Sequence, residues 1–201
     1  MKKILTALVV ATGLLLTGCS NVDAALSLGD TKITTAELQA NVDLILAKRA
    51  KVDTSQMQLD TGETLLRNQL NFRLLLATFS EIAKEFEIQI TSSEIAGRRA
   101  EIIEQVGGEE ALPGALVSAS IAPEYLDGYL RALLITQKLG EAFGLTGGAE
   151  ADVQARIQDL FVAKVNELKI KVSPRYGKWD ATTGQIVAAD AAGDVVTPSE
   201  E

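Results

Sequence analysis

Cys19 is the single thiol in this chain of 201 residues, and no histidine accompanies it. Without histidine, Ser-His-Asp and Cys-His catalysis, histidine-ligated zinc and the HExxH metalloprotease motif are all excluded. Without a second cysteine there is no intramolecular disulfide and no CxxC metal site. Two acidic pairs, Glu109-Glu110 and Glu85 with Glu87, have the residue types of a general acid and base. Both lie on amphipathic stretches of an acid-rich chain, where a carboxylate ordinarily sits on a solvated face. The notable cations, Arg98-Arg99, Arg67 and Arg73, fit helix faces or partners for nearby Glu. No GxGxxG, Walker loop, Ser-x-x-Lys or calcium-loop spacing occurs. The expectation is a protein that is not an enzyme and uses no metal or cofactor.

The chemistry left to Cys19 is acylation, and the residues before it are arranged for that. Lys2-Lys3 precede an apolar stretch, 4–16, that is too short for a spanning helix of about 20 residues. The stretch closes with Leu16-Thr17-Gly18-Cys19, which resembles the bacterial lipobox: an aliphatic residue, a small residue, glycine, cysteine. The resemblance implies cleavage before Cys19 and lipidation of its thiol, with residues 1–18 as the signal peptide. It places the protein outside the cytoplasm, lipid-anchored to a bacterial membrane.

Loss of residues 1–18 would leave 17 basic against 27 acidic side chains, a net charge of −10. Nucleic acid is a poor partner for such a chain, because phosphate binding needs clustered Lys and Arg. Charge would not hold it to anionic lipid either, so the acyl chains on Cys19 would have to do so. The 47% hydrophobic and 23% charged composition is that of a globular protein, and its 4% aromatic content predicts a core of Leu, Ile, Val and Ala.

After a short spacer ending at residue 23, residues 24–33 read as strand, Gly29-Asp30 turn, strand. Thr34 and Glu37 have the spacing of a capping box, predicting a helix that fades near Lys51. Asp60 and Glu63 have the same spacing and open a predicted helix over 63–86, about 36 Å long at 1.5 Å per residue. Its apolar stripe reads Phe72, Leu76, Phe79, Ala83, Phe86, widened by Leu66, Leu70, Leu75 and Ile82. One neighbouring helix cannot cover so broad a face. Either several helices consume it or part of it remains for a client.

A third capping box, Thr91 with Glu94, starts a helix that Gly107-Gly108 stops. Residues 109–118 read as a short helical piece interrupted by Pro113-Gly114, and Pro123 sits in the first turn of a helix ending near Phe143. A last helix over 149–168 leads into a strand at 170–172. From 181 to 201 the composition turns to Ala, Thr, Gly and Asp with four acids and no base, which predicts a disordered acidic tail.

Three stretches together resemble the SurA/PrsA family of exported chaperones. The opening Ala25-Leu26-Ser27-Leu28-Gly29-Asp30-Thr31-Lys32-Ile33-Thr34-Thr35-Ala36-Glu37-Leu38 is similar to that family's first strands and helix start. The closing Val172-Ser173-Pro174-Arg175-Tyr176-Gly177-Lys178-Trp179-Asp180 is similar to its last strand and Pro-Arg-Tyr-Gly segment. Ile88 to Glu94 and Tyr129 to Leu139 fit its helical body, so the resemblance spans 24–180. Many members carry a parvulin prolyl isomerase domain before the closing strand. Here only residues 144–148 and one helix stand there, and the histidine of that site is missing.

The resemblance implies a mainly α domain over 24–180, with long amphipathic helices and a small β element pairing the N- and C-terminal strands. It further implies a membrane-anchored chaperone that binds unfolded or newly exported polypeptides through apolar helix surfaces, without isomerase activity. An accessory lipoprotein serving one dedicated cell-envelope partner would use the same fold. Tyr176 and Trp179, beyond the closing strand, are expected to pack back on the helical body.

Overall fold

The first hairpin turns where the sequence offers the residue for it: Gly29 takes φ +53 between β1 (Ala24–Leu28) and β2 (Thr31–Thr34). Leu26 faces Ile33 and Leu28 faces Thr31 across this antiparallel pair. On its other side β1 pairs antiparallel with β3 (Lys171–Val172), Leu26 opposite Val172, giving the sheet order β2-β1-β3. Backbone bonds from Ser173 N to the Ala25 carbonyl (3.0 Å) and from Gly29 N to the Leu168 carbonyl (2.7 Å) extend the closure. The two ends of the domain are thus joined as the sequence suggests. The structure, a computed structural model, describes residues 23–144 and 149–189. The expected signal peptide, Cys19, the expected spacer up to residue 22, residues 145–148 and 190–201 lie outside the described residues.

The protein is mainly α. Helix α1 (Thr35–Arg49) starts at a complete capping box: Thr34 Oγ1 accepts from Glu37 N (3.1 Å) and Glu37 Oε2 accepts from Thr34 N (2.7 Å). Helix α3 (Ser92–Val106) repeats it with Thr91 and Glu94, and closes on Gly107 at φ +98. Helix α2 (Gly62–Glu85) does not open as expected from Asp60 and Glu63; its N-cap is Thr61, without a side-chain bond. Gly62 at φ +53 turns the chain between the two acids, and Asp60 instead accepts from Asn68 Nδ2 (2.7 Å).

Helix α4 (Leu112–Ser118) also corrects the reading. Pro113 lies in its first turn, where a missing N–H is harmless, so the proline starts this helix rather than interrupting it. A 3-10 turn (Pro123–Tyr125) leads into α5 (Leu126–Gly144), and α6 (Glu150–Glu167) precedes β3.

Three apolar clusters form around α2, two in sequence along it and a third that reaches it through Phe72. Leu70 and Leu74 meet β1, β2 and Val165; Phe79 and Ile82 meet Ile135, Leu139 and Ile157; beyond them Ile95, Leu116 and Leu130 join α3, α4 and α5. Each fully buried Leu contributes on the order of 1.5–3 kcal/mol. The buried stripe of α2 runs Leu65, Gln69, Leu70, Leu74, Thr78, Phe79, Ile82, rotated from the one expected. Phe86 remains 43% exposed, while Phe72, Leu75 and Leu76 are half-buried.

The expected tail begins too early. Residues 178–187 form a second hairpin, β4 (Lys178–Asp180) paired with β5 (Gln185–Val187), and Ile186 is 2% exposed in the first cluster. Asn71 secures it from α2: its Nδ2 donates to the Ile186 carbonyl (2.9 Å) and its Oδ1 accepts from Ile186 N (2.7 Å). One side-chain amide thereby satisfies both backbone groups of an edge strand. Tyr176 is 8% exposed in the same cluster, and Trp179 packs half-buried against it.

One electrostatic consequence follows from the second capping box. An ion pair with Lys138 (2.6 Å), then bonds from Thr91, hold the Glu94 carboxyl at about 2 instead of 4.5. A depressed carboxyl contributes stability fully above its unfolded value and loses it as pH falls through the folded one. Between pH 4.5 and about 2 the unfolding midpoint should therefore fall more steeply in wild type than in Glu94→Gln. Parallel thermal melts with the same slope for both proteins would refute this.

Candidate functional site

Cys19, the expected lipidation site, lies outside the described residues. The other residues singled out by the sequence are dispersed. Glu85 pairs with Lys164 on α6, Glu87 is exposed, and Glu109 and Glu110 stand at the α3–α4 turn. Arg98 pairs with Glu101 (2.8 Å) and Arg99 with Asp127 (2.5 Å). Arg73 donates to Tyr125 Oη (2.5 Å), with its guanidinium 4.6 Å from that ring's centroid. Among the described residues, no group of three Asp, Glu, Cys or His could hold a metal ion, and no helix is long and apolar enough to cross a membrane.

What the fold does assemble is an apolar cleft of about 480 Å³ where the end of α1, one face of α4 and the start of α5 meet. That size lies within the range of about 300–1,000 Å³ usual for binding clefts. Leu112 and Leu116 from α4, Ile121 from the connection and Leu126 from α5 form its floor; Val52, Pro113 and Pro123 wall it. Lys48, Lys51, Arg99 and Glu109 stand at its rim. Gly114 of α4 faces Val52, and a β-carbon there would make only an ordinary contact, 3.9 Å from Val52 Cγ1.

A buried polar chain sets the cleft's shape. Arg49, the last residue of α1 and 9% exposed, donates from Nη1 to the Asp60 carbonyl (2.6 Å) and from Nη2 to Ser120 Oγ (2.8 Å). The Ser120 carbonyl accepts from Gln69 Nε2 (2.9 Å), and Gln69 Oε1 accepts from Asn41 Nδ2 (2.8 Å). Ser120 is held at φ +54, a left-handed conformation unusual for a side-chain-bearing residue. That turn brings Ile121 and Pro123 opposite Leu112 and Leu116. Among the described residues no carboxylate forms an ion pair with Arg49; its place in the last turn of α1 sets its charge at the negative end of the helix dipole. Arg49 Nε and Asn41 Oδ1 have no hydrogen-bond partner among the described residues, so the network is only partly satisfied.

A second cavity of about 390 Å³ runs along the half-buried side of α2. Phe72, Leu75 and Phe79 face Ile157 and Phe161 there, with Gly184 and Gln185 of the hairpin at one end. Part of the apolar stripe read from the sequence thus lines open space.

The sequence reading missed the principal site. It named Arg98-Arg99 but not Lys48 and Lys51, and treated Pro113, Gly114 and Pro123 only as helix punctuation. The local signal was present in Leu46-Ala47-Lys48-Arg49-Ala50-Lys51, three cations in four positions. The chain matches no protein-family profile, no curated protein and no solved structure.

Proposed function

We propose that this protein is an extracytoplasmic, membrane-anchored chaperone-like protein that binds unfolded or newly exported polypeptides and has no prolyl isomerase activity. The observation supporting it is the cleft floored by Leu112, Leu116, Ile121 and Leu126, with charged side chains confined to the rim. A holder of non-native chains needs adaptable apolar surface and no catalytic group. The reading also draws on the sequence resemblance, and the pairing of β1 with β3 is the strand arrangement that the resemblance implies.

Light scattering of an unfolding protein tests it. Residues 20–201 should suppress aggregation at substoichiometric to equimolar ratio; unchanged traces at equimolar ratio would sink the reading. The anchor is tested in the same cells by Cys19→Ala, which should leave the processed membrane fraction. A variant still cut and still fractionating with membranes like wild type would remove the lipid from the proposal.

A further inference from the structure

We propose that the cleft between α1, α4 and α5 takes an extended peptide segment that sets an apolar side chain on its floor and an acidic side chain beside Lys48 and Lys51. This rests on the polypeptide-binding reading and names the class of segment preferred.

The argument is charge complementarity at one place on an acidic protein. The chain has 27 acidic against 19 basic side chains, yet the rim brings Lys48, Lys51 and Arg99 together with Glu109 as the acid facing them. Arg99 is already committed to Asp127. Lys48 and Lys51 make no ion pair among the described residues. Beneath them the buried Arg49 adds a third positive charge that forms no ion pair among the described residues. An apolar side chain entering the cleft leaves water for the Leu112 and Leu116 floor. A carboxylate one or two positions along the peptide then meets two ammonium groups on flexible stems. A basic segment meets the same charges with repulsion, which makes the preference selective rather than merely adhesive.

Fluorescence anisotropy with residues 20–201 tests this. The probe is a fluorescein-labelled peptide carrying Leu-Val with Glu on both sides, compared with its Gln and Lys counterparts. The Glu peptide should bind about fivefold or more tightly than the Gln peptide, the Lys peptide weakest, and the Glu advantage should fade in 1 M salt. Lys48→Gln with Lys51→Gln should erase the Glu advantage while helical circular dichroism is kept. Val52→Glu, at a half-buried cleft wall outside the regular elements, should weaken the Glu peptide selectively.

Equal binding of all three peptides overturns the proposal. So does a full Glu advantage in the double lysine variant with only a lowered melting point, which would mean that the lysines serve the end of α1 alone. If binding saturates with a second copy of the protein instead of peptide, seen as dimerisation blocked by Val52→Glu, the occupant is misassigned. Aggregation suppression without any Glu preference leaves the chaperone reading standing and removes this one; Glu-selective binding without suppression does the reverse.

Discussion

Gly177→Ala should destabilise the protein by about 3 kcal/mol or more, as a fall in the urea midpoint. Gly177 has φ +140, a conformation that side-chain-bearing residues rarely adopt. A β-carbon there would stand 2.2 Å from the Val187 carbonyl oxygen and 3.2 Å from Ile186 Cγ2. The nearest obstacle is backbone in a paired strand, so no side-chain rotation relieves it. The hairpin would have to separate from Asn71 or from Tyr176, and both contacts lie in the first cluster's cover. Gly97→Ala is the matched control. Gly97 is in the exposed interior of α3 with no atom within 4 Å of an added β-carbon, and alanine there should stabilise by about 0.5–1 kcal/mol. A Gly177→Ala midpoint shifted no more than a surface change, within about 0.5 kcal/mol, would contradict the close approach.

Tyr176→Ala should cost a comparable amount, on the order of 3 kcal/mol for a buried aromatic truncated to alanine. It belongs to the buried cluster that holds Ala25, Leu26, Leu28, Leu70 and Leu74, so the loss falls in the core shared by the joined strands and α2. Ending the chain after Val172 removes Tyr176, Trp179 and Ile186 together and should leave no cooperative unfolding transition. Trp179, half-buried beside the same residues, should shift its emission to the red on unfolding. A truncated chain as stable as the intact one, or an indole spectrum unchanged by urea, would show that the closing segment lies outside the core.

What could be read from the sequence divides by distance along the chain. Thr34 with Glu37 and Thr91 with Glu94 are self-contained within four residues, and both capping boxes form. The meeting of β1 and β3 came from the resemblance and from two short strands that each needed a partner. The β4–β5 hairpin went unread because only Ile186 of its second strand points inward, and its anchor, Asn71, is 115 positions away. Gln69 and Thr78 are polar yet buried in the middle of α2, so hydropathy placed the helix's inner face about one residue step aside. The cleft was invisible for a related reason. Its floor residues fit ordinary helix periodicity, and only the left-handed turn at Ser120, fixed by Arg49 from α1, leaves their outer side uncovered.

The joining of the two ends has a consequence for the order of events in folding. Leu26 and Val172 are 146 positions apart, and β1 has its second partner only after nearly the whole described chain exists. At about 5–20 residues per second, that interval lasts roughly 7–30 s during synthesis. Until then β1 and β2 lack their third strand, and Ala25, Leu26 and Leu28 have the cover of Leu38, Leu70 and Leu74 without that of Val165 and Tyr176. Closing so long a loop also slows the search for the paired state relative to the local helix contacts. The helices can assemble as they appear, while the first strand to be made waits for β3 before its second edge is paired.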